Sequence, residues 1–211
     1  FSRKKRTNCV WEEDGVIYRR GEKILESKDI LIPGTHNIEN YMAAIALVEG
    51  LATDDAIRQV ARAFGGVEHR IELVRVKDGV RFYNDSIASS PSRTIAGLRS
   101  FPEQVILIAG GYDKHIPYDV LGPEICKHVK KLFLGGATGP KIRAAVEAAP
   151  EYAPGKPEIV DCKDFTEATL AAAKAAESGD VVLMSPASAA FDQFKNFMVR
   201  GEYYKKLIKE L

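Results

Sequence analysis

The residues best suited to chemistry fall into short clusters. Asn37 and Asn40, within Gly34-Thr35-His36-Asn37-Ile38-Glu39-Asn40, stand at a turn leading into a helix and share one of its faces. Each amide both donates and accepts, which suits an adenine edge or a phosphate environment and equally suits N-capping. Glu68-His69-Arg70-Ile71-Glu72 offers a guanidinium, whose planar fork grips phosphate oxygens; a surface ion pair to Glu68 or Glu72 is its plainer use. Tyr83-Asn84-Asp85-Ser86 closes a strand pattern. Asp85 there can accept from ribose hydroxyls, hold a cation, or cap a helix. Ser89, Ser90 and Ser92 add donors nearby, and Pro91 suits a first helical position. Gly110-Gly111-Tyr112-Asp113-Lys114 lets a backbone approach a ligand closely, with Lys114 as a point charge for a carboxylate or phosphate. The stretch from Ser185 to Phe197 sets small residues, among them Ser188 and Ala190, before an aromatic and polar segment. A small amino acid could lie against that wall, and Phe191, Phe194 and Phe197 could equally be core anchors.

Other chemistries lack their residues. Gly135-Gly136-Ala137-Thr138-Gly139-Pro140-Lys141 is rich in glycine but does not fit GxxxxGK[ST], and no other stretch does. A nucleoside triphosphate must therefore be gripped partly by something else. Hydride transfer with a nicotinamide cofactor would call for GxGxxG after the first strand and an acidic residue about 20 positions on, which is not found. The four histidines have no metal-ligand spacing. The three cysteines, Cys9, Cys126 and Cys162, are odd in number and form no CxxC. That argues against a zinc site or a disulfide framework and fits the reducing cytoplasm.

These clusters need elements to hold them. Near the start, 9–11, 16–18 and 23–25 read as short strands, the first two joined across Asp14-Gly15. That block is too small for a core of its own and reads as the end of a sheet whose other strands lie upstream, in keeping with a first residue that is Phe. Apolar periodicity predicts helices over 36–50 and 54–64, the second capped by Thr53. Gly65-Gly66 stops the second, which places a boundary between residues 1–67 and 68–211. Beyond it, strands over 71–76, 80–83, 105–109, 131–134, 158–160 and 181–184 alternate with helices over 92–101, 118–129, 141–149, 165–176 and 201–211. Such alternation implies an α/β fold with a mostly parallel sheet and helices on both faces. Ligands on such sheets sit at the carboxyl ends of the strands, which is where the clusters from Asn84 onward fall.

Bulk composition narrows the partners. The chain has 211 residues, 45% hydrophobic and 28% charged, with a formal net charge of +1. There is no global electrostatic case for nucleic acid or an anionic membrane surface. No apolar run approaches the roughly 20 residues that span a bilayer. The basic start, Arg3-Lys4-Lys5-Arg6, is followed by no apolar segment and so is no signal peptide.

Taken together, GTHNIEN, EHRIE, YNDS, the Gly-Gly-x-Asp-Lys loop and SPASAAFDQFKNF followed by Arg200-Gly201 resemble the Mur ligase family, in the family's order and over most of the chain. The last motif is the most specific and favours the D-glutamate-adding branch. The resemblance implies an ATP-dependent amide-forming ligase of the cytoplasm that acts as a monomer in peptidoglycan precursor synthesis. It would join D-glutamate to UDP-N-acetylmuramoyl-L-alanine through an acyl phosphate, with ATP and Mg2+. Residues 1–67 would be the tail of the central ATPase domain. Residues 68–211 would be the Rossmann-like carboxy-terminal domain that takes the amino acid. The P-loop, the UDP-binding domain and most Mg2+ ligands would lie upstream, leaving this chain inactive alone. Carried over by position, Asn37 and Asn40 would face the nucleotide, Arg70 the ATP phosphates and Asp85 the ribose. Lys114 would bind a D-glutamate carboxylate, and Arg70 and Lys114 would be the catalytic pair. Ser89, Phe191 and Phe197 would complete the pocket. The family often has Lys where Ile87 stands and Ser where Ala190 stands; Ser188 is a neighbouring hydroxyl that could stand in for the latter.

Overall fold

Asp14 and Gly15 both take positive φ, 50° and 76°, as a tight two-residue hairpin requires. They join β1 (Val10–Glu13) to β2 (Val16–Arg19), and Arg20-Gly21 turns the chain again into β3 (Glu22–Glu26). The three strands form an antiparallel sheet in chain order. Two helices follow, α1 (Thr35–Leu47) and α2 (Asp54–Ala63). Thr53 caps α2 by accepting the Ala56 amide at 3.2 Å, and Asp54 and Asp55 complement the helix dipole. Val10, Ile17, Ile24 and Leu25 of the sheet pack with Met42, Ile45, Ile57 and Ala61 of the helices. The strand block thus shares a core with the two helices. The helices supply the second layer that three short strands cannot supply themselves.

The computed structural model describes all 211 residues, in two compact units, Phe1–Gly66 and Val67–Leu211. In the second unit, β4 (Glu72–Lys77) and β5 (Val80–Asn84) form an antiparallel hairpin. Then come α3 (Pro91–Leu98), β6 (Val105–Gly110), α4 (Leu121–His128), β7 (Val129–Gly135), α5 (Gly139–Glu147), β8 (Glu158–Asp161), α6 (Phe165–Lys174), β9 (Val181–Met184) and α7 (Phe197–Glu210). The six-stranded sheet runs β4-β5-β9-β6-β7-β8, parallel except for its β4 edge.

Alternate residues of the central strands point to opposite faces. Val105, Leu107, Leu132, Leu134, Val181 and Leu183 meet Leu98, Leu121, Ile125, Ile142 and Val146 of α3, α4 and α5. Ile106, Ile108, Phe133, Val182 and Met184 meet Phe165, Ala168, Ala172, Tyr204 and Ile208 of α6 and α7. Each large apolar side chain so buried contributes about 1.5–3 kcal/mol, which is why these strands read as unbroken apolar runs. The chain leaves β6 toward β7 and β8 under one helix layer and returns to β9 under the other, the pattern that right-handed crossovers impose. The helices that follow β6 and β9 thus lie on opposite faces of the sheet, which makes the carboxyl edge at these two strands its topological switch point.

One helix begins earlier than its sequence pattern predicts. α7 starts at Phe197 rather than near Gly201, because Asn196 caps it by accepting the Val199 amide at 2.9 Å. Gly201 lies inside the helix, where a Cβ would stand 2.3 Å from His69 Nδ1. It is there for close packing, not as a helix boundary.

Candidate functional site

The carboxyl ends of β5, β9, β6 and β7 lie side by side, and their loops are tied together by backbone bonds. The Gly110 amide donates to Pro186 O at 2.8 Å, Tyr112 to Ala189 O at 2.9 Å, and Thr138 to Gly111 O at 3.1 Å. The glycines make this possible. A Cβ on Gly110 would lie 1.9 Å from Gly135 O, and one on Gly111 2.4 Å from Ala189 O. The close approach expected here is thus between neighbouring loops.

On the rim above, Lys114 is exposed and has no hydrogen-bond or ion-pair partner. Its neighbour Asp113 anchors the loop, accepting the His115 amide at 2.8 Å and pairing with Lys141 Nζ at 2.5 Å. The Lys141 contact holds the Asp113 carboxyl below its ordinary range. On the loop after β9, Phe191 is 60% exposed and meets Tyr112 edge-on at 5.9 Å. It is therefore a wall, not a core anchor. Phe194 is the anchor, packed on Phe165 at 5.2 Å and Tyr203 at 5.5 Å. Phe197 is half-buried, edge-on to His69 at 6.0 Å, and its carbonyl accepts from Ser86 Oγ at 2.7 Å. Ala190 is buried, its carbonyl accepting the Gln193 and Phe194 amides. Ser89 is half-buried, and its hydroxyl has no partner within the protein.

Ser188 departs from its expected place. Its hydroxyl faces the interior, 2.8 Å from Tyr118 Oη and 2.8 Å from Thr138 Oγ1, and the residue is 1% exposed. It is neither open to a substrate nor able to stand in for the hydroxyl missing at Ala190. The reason is pairing: a buried hydroxyl so close to two others is held by them.

Asp85 departs as well. One oxygen accepts the Ile71 amide at 3.3 Å and the other the Ser185 hydroxyl at 2.7 Å. The residue is buried, and burial pushes its carboxyl up to about 7, opposed by the Ser185 bond and the nearby Arg70 and Arg93 charges. A carboxylate so engaged has no oxygen open to ribose here. It instead fixes the segment that carries Arg70. Arg70 is exposed, its guanidinium makes no hydrogen bond, and it is flanked by His69 and Ile71 in the left-handed region, at φ 65° and 44°. The structure thus brings Arg70 and Asp85 together, though not as two ligands of one nucleotide.

Asn37 and Asn40 lie in the first unit, on the opening turns of α1. Gly34 occupies the cap position and makes no side-chain bond. Asn37 Nδ2 donates to Pro33 O at 2.7 Å, and Asn40 Nδ2 donates to Asn37 Oδ1 at 3.2 Å. Asn37 is buried and Asn40 exposed. Glu68, His69 and Glu202 could together present ligand atoms to a cation, but Lys205 Nζ already sits 2.6 Å from Glu202 and pairs with Glu68.

Sequence reasoning passed over Arg200, which is 1% exposed. Its guanidinium donates to Ser86 Oγ at 3.0 Å, Ser86 O at 2.9 Å, Ala189 O at 3.1 Å and Ser188 O at 3.1 Å. One side chain thus staples the β5 and β9 loops. Burial pulls its pKa down to about 10, so it stays charged at neutral pH. The only signal in the sequence was its place just after the aromatic motif.

The family model described as "Mur ligase, glutamate ligase domain" matches residues 69–188. UDP-N-acetylmuramoylalanine–D-glutamate ligase of Acetivibrio thermocellus is 51% identical, over 100% of this chain and 47% of its own length. The chain therefore spans less than half of that relative. Among solved structures, UDP-N-acetylmuramate–alanine ligase of Thermotoga maritima aligns with a TM-score of 0.64 at 17% identity, covering 92% of this chain and 42% of its own. The folylpolyglutamate synthase of Mycobacterium tuberculosis, solved with ADP, aligns at 0.58 and 14%, covering 94% and 46%. At such identities these two speak to the fold alone. No helix is long and apolar enough to cross a membrane.

Proposed function

The chain belongs to the Mur ligase family, and from that premise we propose that it is the carboxy-terminal part of an ATP-dependent ligase joining D-glutamate to UDP-N-acetylmuramoyl-L-alanine. The product is a peptidoglycan precursor, made in the cytoplasm by a monomeric enzyme. In this reading Phe1–Gly66 closes the central ATP-binding domain and Val67–Leu211 takes the amino acid. ATP transfers its γ-phosphoryl group to the substrate carboxylate. The amine nitrogen of D-glutamate then bonds to the acyl carbon, phosphate leaves with the C–O electron pair, and the nitrogen sheds a proton. A carboxylate resists nucleophiles, so the activation is necessary. Positive charge must steady the moving phosphoryl group.

Arg70 is exposed and unpaired, and so is free to reach phosphate oxygens. Asn40, which is exposed, offers its amide edge to the nucleotide, and the buried Asn37 steadies it by accepting from its Nδ2. Asp85 serves by holding the Arg70 segment in place. At the strand-end edge Asp85 is buried and Asp113 is paired. Most Mg2+ ligands would come from outside this chain, as would the P-loop, and the chain alone is expected to be inactive.

The observation that carries the reading is the unpaired ammonium of Lys114, two residues beyond the Tyr112 ring that meets the exposed Phe191. A free cation and an exposed aromatic ring on neighbouring loops fit a small amino acid with a free carboxylate. The test is an NMR titration of the chain with D-glutamate, L-glutamate, diaminopimelate and ATP in turn. D-glutamate should shift amides around Lys114, Ser89 and Phe191, and Lys114→Ala should remove those shifts while leaving the remaining spectrum in place. Equal responses to all the amino acids, or shifts that survive Lys114→Ala, would sink the assignment.

A further inference from the structure

The Lys114 ammonium has no partner of its own, so its position depends on the backbone that carries it. That backbone, from Gly111 to Tyr118, is pinned at both ends by one line of buried hydroxyls. Thr138 Oγ1 lies 3.2 Å from Gly111 O, Ser188 Oγ 2.8 Å from Thr138 Oγ1, and Tyr118 Oη 2.8 Å from Ser188 Oγ. Tyr118, Thr138 and Ser188 are 4%, 0% and 1% exposed.

The proton order is forced. A carbonyl only accepts, so Thr138 donates to Gly111 O. Thr138 then accepts from Ser188, which has spent its one proton and accepts in turn from Tyr118. Every hydroxyl proton is used, and the bonds polarise one another in a single direction. The line joins the loops after β6, β7 and β9. It passes through Ser188, two residues before Ala190 and three before Phe191. The backbone that carries Lys114 and the Ala190–Phe191 segment are therefore held together by this line in addition to the backbone bonds of Tyr112 to Ala189 and of Thr138 to Gly111.

We propose that Tyr118, Thr138 and Ser188 are positioning residues that set the enzyme's affinity for its amino acid by fixing the Lys114 loop against the Ala190–Phe191 segment. This rests on the amino-acid role given above to Lys114 and Phe191. A merely structural hydroxyl line would affect stability and all kinetic constants alike. A positioning line acts on the amino-acid KM and leaves the ATP KM and kcat in place.

The experiment uses the complete enzyme with Thr138→Val, Thr138→Ser and Tyr118→Phe. Phosphate release is measured with D-glutamate and ATP varied separately, and amide hydrogen exchange is followed over residues 111–118. Thr138→Val keeps the side chain's shape but breaks the line in the middle. It should raise the KM for D-glutamate about tenfold, with kcat and the ATP KM within about twofold, and speed exchange over 111–118. Thr138→Ser should restore both readouts. Tyr118→Phe removes only the terminal donor and should raise the same KM by about threefold. An unchanged D-glutamate KM in Thr138→Val, or a parallel loss in every constant, overturns the proposal while the ligase reading stands. An unsubstituted enzyme that releases no phosphate with D-glutamate overturns the ligase reading and this proposal with it.

Discussion

Replacing Arg200 by Met keeps most of the apolar stem and removes the guanidinium, which makes the consequence calculable. Four hydrogen bonds to neutral acceptors are lost. Bonds from a charged donor contribute about 1.5–3 kcal/mol each, so the gross loss is roughly 6–12 kcal/mol. Against this stands the cost of holding an ion out of water, several kcal/mol for a buried group. The expected net destabilisation is about 3–5 kcal/mol, the range seen when a buried charge network loses one member. Arg200→Lys should recover less than half, because an ammonium has three donors and no planar fork. The chain's one tryptophan, Trp11, lies in the first unit, so its fluorescence does not follow this change. The assay is therefore amide exchange at Ile108 and Met184, the β6 and β9 positions paired in register. Their opening free energies should fall by the stated amount while the Trp11 unfolding transition stays where it was. Arg200→Met with unchanged protection at both amides would refute the view that this guanidinium holds the loops together.

Asp85 should make the second unit pH-sensitive. Its folded pKa is raised to about 7 from 3.8, so its contribution is fully present below 3.8 and is lost as pH rises toward 7. Denaturation at pH 5 and pH 8 should show lower stability at the higher pH, and Asp85→Asn should flatten that difference; a variant with the same slope would exclude Asp85 as the source. Gly201→Ala sets a Cβ 2.3 Å from His69 Nδ1 and should cost about 1–3 kcal/mol by overpacking, read as a lower melting temperature by circular dichroism. Thr53→Ala removes the cap on the Ala56 amide and should cost the first unit about 1 kcal/mol, read through Trp11 fluorescence in urea.

What the sequence by itself determined were the features governed by near neighbours. Asp14-Gly15 marks a hairpin because few other pairs take positive φ at two successive positions. Thr53 marks a helix start because its hydroxyl reaches an amide three residues on. Runs such as Val105–Gly110 and Val181–Met184 show as strands because both faces must be covered. The alternation of these runs with helical patterns makes the mostly parallel sheet legible, and with it the edge where Lys114 stands. Only the tertiary structure decided which way the polar side chains of that edge turn. Asp85 and its partner Ser185 are 100 positions apart, and Arg200 and Ser86 are 114. The interior line through Tyr118, Ser188 and Thr138 spans strand ends that meet only in the order β9-β6-β7. A serine or aspartate in a loop can face solvent or the core at similar local cost. Partners brought in from distant strands settle that choice, so the motif pointed to the edge and the packing chose the side chains left open there.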